Sequence, residues 1–210
     1  MDNFISNQNW RYAAKKFDAT KKLQAKDLDF LKEAIRLSVS SYGLQPYQVL
    51  IIENPLIKAE IKKAAYNQNQ VTEASHLFIF ANYINFTDEH IDAYIQNTAN
   101  SRNLELASIS GYGNFMKRVL LTQPQEQLQT WSAKQCYIAL TNLVNAAAEI
   151  KVDVTPMEGF NPEEVNRILN LQSLNLNAVL IAPVGFRASD DETQFLPKVR
   201  KSNHELFIEL

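Results

Sequence analysis

The segment that most constrains this chain runs from Pro124 to about Ile150. Pro124 opens a long predicted helix, and over residues 136–148 that helix is apolar or small on nearly every side. A helix without a polar face cannot lie against water, so it belongs at the centre of the fold or in an interface between subunits. The other elements must be arranged around it. Leu28, Leu31, Ile35 and Val39 recur at helical spacing and predict an amphipathic helix over 27–39, with Asp27 and Asp29 in the first turn that the helix dipole favours. Further helices are predicted over 4–12, from Asn54-Pro55 to about Ala65, from Thr87 through Ile95, and from Asn161-Pro162-Glu163-Glu164 to about Leu171. Apolar, β-rich runs predict strands over 48–53, 76–83, 151–154 and 177–183. Residues 99–121 read as a mobile helical excursion around Gly111 and Gly113. Residues 206–210 read as a β-like segment without a neighbouring strand, a kind often donated to another sheet, including another subunit's. With no repeat, low-complexity tract or linker, residues 1–210 read as one α+β domain.

Composition narrows the chemistry. The chain has five glycines, and only Gly111-Tyr112-Gly113 begins a G-x-G-x-x-G pattern, with Met116 in the third glycine's place. Neither a P-loop nor a G-x-S-x-G elbow occurs, so a bound cofactor is the better source of any chemistry. A single cysteine excludes a disulfide framework or a multi-cysteine metal site, and the three histidines are scattered. Twenty-one basic against 23 acidic residues leave a net charge of −2, with no global field to recruit nucleic acid or an anionic membrane. The acidic start is no signal peptide, and the apolar runs are far shorter than the roughly 18 residues of a membrane span. A soluble cytoplasmic protein is expected.

Any charged ligand must therefore be held by a local cluster. Arg11, Lys15 and Lys16 lie within six residues, just after the first helix. Lys198-Val199-Arg200, if extended, points its two cations the same way. Each run alone reads as an ordinary solvated face, and sequence does not place them together. In Pro156-Met157-Glu158-Gly159 the Glu-Gly pair lies between a strand and a capped helix, where backbone amides can face a ligand or simply make a turn. Cys136 and His76 read as packing residues, and His90 as solvated. Phe115 and Met116 read either as core or as lining for a substrate.

Together these motifs resemble the nitroreductase family of FMN-dependent NAD(P)H oxidoreductases, which includes oxygen-insensitive nitroreductases and dihydropteridine reductase-like members. The resemblance spans almost the whole chain. It rests on Arg11, Lys15 and Phe17-Asp18; on Ser40-Ser41-Tyr42-Gly43-Leu44-Gln45-Pro46-Tyr47; and on Asn67 and Gln70 ahead of Glu73-Ala74-Ser75-His76. It continues in Trp131-Ser132-Ala133-Lys134-Gln135, in Pro156-Met157-Glu158-Gly159-Phe160 and in Leu196-Pro197-Lys198-Val199-Arg200.

The resemblance implies a mostly antiparallel sheet flanked by helices and a homodimer that exchanges its C-terminal strand. It also implies FMN at the subunit interface. Arg11, Lys198 and Arg200 would hold the FMN phosphate, with Tyr12 and Ala13 beside them. Lys15, Asn67 and Gln70 would lie at the pyrimidine edge. The backbone of Pro156, Met157, Glu158 and Gly159 would pass the N5 side, and Ser40, Ser41 and Gly43 would come from the other subunit. NADH or NADPH is the implied co-substrate, and nitroaromatics, quinones or related small molecules the acceptors. No side chain is implied as a nucleophile or base. Ala13 departs from a usual Ser or Thr, Gly43 from a common Asn, and Gln70 from a Lys found in some members. A neutral residue at 70 implies a lower flavin potential, because a nearby cation stabilises the reduced, anionic form. Two alternatives remain: a specialised flavin enzyme of the same superfamily, and a non-catalytic flavin-binding protein.

Overall fold

In the computed structural model, which describes residues 2–210, strands β1 (Tyr47–Ile52), β2 (His76–Tyr83), β3 (Asp153–Val154) and β4 (Leu176–Gly185) form one sheet in the order β1-β2-β4-β3. Every neighbouring pair is antiparallel. The register runs Tyr47 opposite Asn82 to Ile52 opposite Leu77, and a β-bulge at Phe80/Ala81 interrupts the pairing of β2 with β4. β2 reads as a continuous apolar run because both of its faces are covered.

The helices are α1 (Asp2–Trp10), α2 (Ala25–Arg36), α3 (Pro55–Ala64), α4 (Gln70–Glu73), α5 (Asp88–Arg102), α6 (Leu106–Leu120), α7 (Gln125–Glu149), α8 (Pro162–Ile168) and α9 (Asn203–Leu206). On one face of the sheet, Phe78, Phe80, Leu180 and Val184 pack against Leu31 and Ile35 of α2 and Ala139, Leu143 and Ala147 of α7. On the other, Leu77, Ile79 and Ile181 meet Ile61 of α3 and Val165 of α8. The long apolar helix is thus the main prop of one sheet face. Cys136 is fully buried there, and burial pushes its thiol up to about 12, which makes it a packing residue. Among the described residues no helix is long and apolar enough to cross a membrane.

Four expectations change. Residues 99–121 are not a loose excursion: α5 and α6 pack as a helical pair joined after Asn103, which takes a left-handed cap at φ 52°. Gly113 permits that approach, since a Cβ there would lie 3.0 Å from Ile95 Cγ1. Met116 is fully buried among Ile91, Ile95 and Leu120, so it is core, while Phe115 is exposed and stacks on Tyr112. His90 is half-buried rather than solvated: its Nδ1 accepts the Thr87 N–H at 3.1 Å, and its ring stacks on Phe86. The strand expected over 151–154 shrinks to Asp153–Val154, because Lys151 turns through φ 58°. Finally, residues 207–210 take no strand pairing within the described residues; they follow α9 with Phe207, Ile208 and Leu210 exposed.

Candidate functional site

The segment after α1 and the segment after β4 meet across a cleft of about 580 Å3. It gathers Arg11, Tyr12, Ala13, Pro156, Lys198 and Arg200, residues up to 189 positions apart in sequence (200 − 11). The Lys198 ammonium donates to the Arg11 carbonyl. Burial and the neighbouring Arg200 hold the Arg11 guanidinium below its ordinary pKa. Lys198 is lowered likewise, by burial and by Arg11, Arg200 and Arg187. Among the described residues none of these three cations forms an ion pair with a carboxylate, whereas Lys16, Lys63 and Arg167 each do. Cations gathered in one concavity without a carboxylate partner raise the local potential for anions.

The frame beneath the cleft involves residues that sequence patterns did not single out. Asp153 is buried at β3 and takes two short bonds from Arg187, from Nη2 at 2.6 Å and Nε at 3.0 Å. The same guanidinium lies 4.1 Å from the Trp10 ring centroid and 4.4 Å from that of Tyr12, so it clamps the residues on either side of Arg11. Tyr12 donates to buried Asp191 at 2.9 Å; its hydroxyl pKa is raised by burial and by that bond. Thr155 Oγ1 fastens the next turn by donating to the Ala14 carbonyl at 2.8 Å. No local motif announces these partners: Asp153 and Arg187 lie 34 positions apart, and Tyr12–Asp191 and Thr155–Ala14 more than a hundred.

A second group forms around the turn at 156–160. Met157 bridges to Ile181 through paired backbone bonds of 2.9 and 3.1 Å, which hold the turn to the sheet. Gln68 Nε2 donates to the Gly159 carbonyl at 2.8 Å, bringing the Asn67–Gln70 loop beside Glu158-Gly159. Asn67 itself sits at φ 59°, and Gln70 begins α4. Glu73, at the far end of α4, accepts the Phe17 N–H at 3.3 Å, two residues on from the exposed Lys15, whose own N–H is held by Asp191. The Glu158 and Gly159 amides donate to no group among the described residues and are free to face a ligand. The Glu158 carboxylate is drawn aside by Tyr137, whose hydroxyl donates at 2.5 Å and is pushed up to about 12 by that bond.

Ser40, Ser41 and Gly43 are not brought to the Arg11 cleft within one chain. Ser40 Oγ accepts the Gln45 N–H at 2.9 Å, and Ser41 N–H donates to buried Gln135 at 2.8 Å. Gly43 lines a different cleft, beside Tyr94 and His90. Its φ of +77° follows Tyr42 at 57°, and a Cβ on Gly43 would lie 2.8 Å from Tyr94 Oη. The phenol thus fills the space a side chain at 43 would use, and that contact accounts for the glycine.

The sequence profile of the Nitroreductase family matches residues 9–186. The chain is 30% identical over 199 residues to the Major NAD(P)H-flavin oxidoreductase of Aliivibrio fischeri, covering 91% of each chain. It is 29% identical over 202 residues to the Oxygen-insensitive NAD(P)H nitroreductase of Salmonella typhimurium, covering 90% of this chain and 91% of the relative. A crystal structure of an Exiguobacterium sibiricum protein in complex with FMN superposes with a TM-score of 0.84 at 18% identity, over 99% of this chain and 97% of that one.

Proposed function

Since the chain belongs to the nitroreductase family, we propose that it is an FMN-dependent NAD(P)H oxidoreductase, a single domain over residues 1–210 working as a cytoplasmic homodimer. The observation that carries this reading is the cleft of Arg11, Lys198 and Arg200, three clustered cations without an acidic partner among the described residues. Those residues suit the doubly charged FMN phosphate, and charge-assisted bonds of that kind contribute about 1.5–3 kcal/mol each. The A. fischeri relative's name specifies flavin and NAD(P)H, which supports the same assignment.

A bound flavin would supply the redox step, taking hydride from NADH or NADPH and passing it to a small-molecule acceptor such as a nitroaromatic or a quinone. The chain's own residues bind and orient. Arg11, Lys198 and Arg200 hold the phosphate, with Tyr12 and Ala13 beside it. Lys15, Asn67 and Gln70 face the pyrimidine edge, Lys15 bringing the positive charge there. Pro156, Met157, Glu158 and Gly159 would present backbone toward N5, and the Glu158 amide, which has no acceptor among the described residues, would be the donor on that side. The partner's Ser40, the partner's Ser41 and the partner's Gly43 complete the site. Dimerisation is supported by the exposed apolar tail, Phe207, Ile208 and Leu210, and by the separation of the 40–43 loop from the Arg11 cleft within one chain.

The visible spectrum of purified protein, before and after anaerobic addition of NADH and then NADPH, tests the proposal. Flavin bands that bleach support it. Bands that persist with both nucleotides reduce the protein to a flavin binder. No flavin bands, even after incubation with FMN, overturn the site.

A further inference from the structure

We propose that Asp191 is a positioning residue that holds the two halves of the basic cleft in register for the phosphate, a role that rests on the flavin reading above. Its carboxylate is 2% exposed and accepts four hydrogen bonds. Oδ2 takes the Lys15 N–H at 2.7 Å, the Lys16 N–H at 3.2 Å and the Tyr12 hydroxyl at 2.9 Å. Oδ1 takes the Thr193 N–H at 3.1 Å. The first three donors belong to the segment that begins with Arg11. The fourth lies in the short turn Glu192–Phe195, which Asp191 itself caps and which leads on toward Lys198 and Arg200. One buried side chain thus joins the two strips of backbone that carry the three cations.

Such a joint is needed because the cations repel one another: Arg200 bears on Arg11, and both bear on Lys198. The same two segments are also tied by the Ala188 N–H to the Lys16 carbonyl at 3.0 Å and by Arg187 against Trp10 and Tyr12. Nearest the cations, however, the bond from the Lys198 ammonium to the Arg11 carbonyl is one that a phosphate would compete for. A carboxylate suits this joint better than an amide, since an ionised carboxylate only accepts and all four neighbours only donate here. Burial alone would raise the Asp191 pKa, but the bonds from Lys15, Lys16, Tyr12 and Thr193 outweigh it and the group stays ionised. Being buried and anionic, Asp191 cannot touch phosphate itself, so its influence passes through the cations it places.

The test is flavin affinity of the full-length protein, read from flavin fluorescence, for FMN and for riboflavin, which has the same ring and lacks the phosphate. Asp191→Ala is expected to weaken FMN binding by about tenfold or more, one decade being ~1.4 kcal/mol, and to weaken riboflavin, which keeps the ring contacts of Lys15 but lacks the phosphate, by clearly less. Asp191→Asn can still accept at the Oδ2 position but sets a donor against the Thr193 N–H, so a smaller loss, again larger for FMN than for riboflavin, is expected. The asparagine variant carries the test if the alanine variant does not fold. Equal losses for both flavins would show a general structural role and overturn the proposal, as would an unchanged FMN affinity in both variants. A wild-type protein that binds riboflavin as tightly as FMN would instead overturn the phosphate assignment of the cleft, and the role of Asp191 with it.

Discussion

The ion pair beneath the cleft allows a quantitative expectation. The Asp153 side chain is 2% exposed and that of Arg187 is 18% exposed, so both charges are largely out of water. Replacing Arg187 by Met keeps an unbranched apolar stem against Trp10 and Tyr12 but removes the guanidinium. Asp153 is then left as a buried carboxylate with only the Arg187 backbone N–H, at 3.0 Å, as a donor. Orphaning one member of a buried pair costs about 3–5 kcal/mol, and loss of the contacts to the two rings adds about 0.5–2 kcal/mol each. The surviving backbone bond and protonation of Asp153 offset part of this, so we expect about 3 kcal/mol. At roughly 2–4 °C per kcal/mol for a chain of this size, Tm should fall by about 6–12 °C. The double variant Arg187→Met/Asp153→Leu removes the stranded charge and should recover at least about half of the loss. Urea unfolding at one fixed protein concentration measures both. A single variant that loses less than about 1 kcal/mol, or a double variant no more stable than the single, would refute the argument that desolvated charge dominates here.

Lys198→Ala and Arg200→Ala should each weaken FMN by about tenfold or more, by fluorescence titration; unchanged affinity in both would remove the phosphate from this cleft. Gln70→Lys should raise the flavin midpoint potential by adding a cation near the pyrimidine edge, and equal potentials in wild type and variant would discount that placement. Burial lowers the pKa of His76, despite Glu53 nearby, and of His90. Protons therefore bind the unfolded chain more readily, and stability present above the unfolded value of about 6.5 is lost as pH falls below it. A His76→Gln/His90→Gln protein should show a flatter stability profile between about pH 5 and 7, and parallel profiles would count against both groups. Gly43→Asn tolerates the left-handed backbone but meets Tyr94 Oη, so it should lose stability that Tyr94→Ala restores in the double variant; additive losses would mean the contact is incidental.

Much of this architecture is legible in local pattern. Residues 76–83 are β2 as read, because a run of buried apolar residues bounded by polar ones has few other uses. The helix after Asn54-Pro55 begins where its cap does: Asn54 Oδ1 accepts the Leu56 and Ile57 N–H groups. The cations at 11, 198 and 200 also stand out as motifs. Local pattern fails where identity depends on a distant neighbour. Met116 and Phe115 are adjacent, and only the packing of α6 on α5 decides that one is core and the other faces water.

Sequence by itself determined the mix of helices and strands, the need to bury residues 136–148, and the kinds of residue available to hold an anion, since periodicity, caps and charge are properties of neighbouring residues. Tertiary structure alone decided that Arg11 and Arg200 share a cleft, that Arg187 lies between Trp10 and Tyr12 on Asp153, and that Asp191 joins both rims. These are long-range pairings with no period along the chain. They arise when α1 and the segment after β4 are laid over the same end of the sheet, where a buried carboxylate must find its donors within reach.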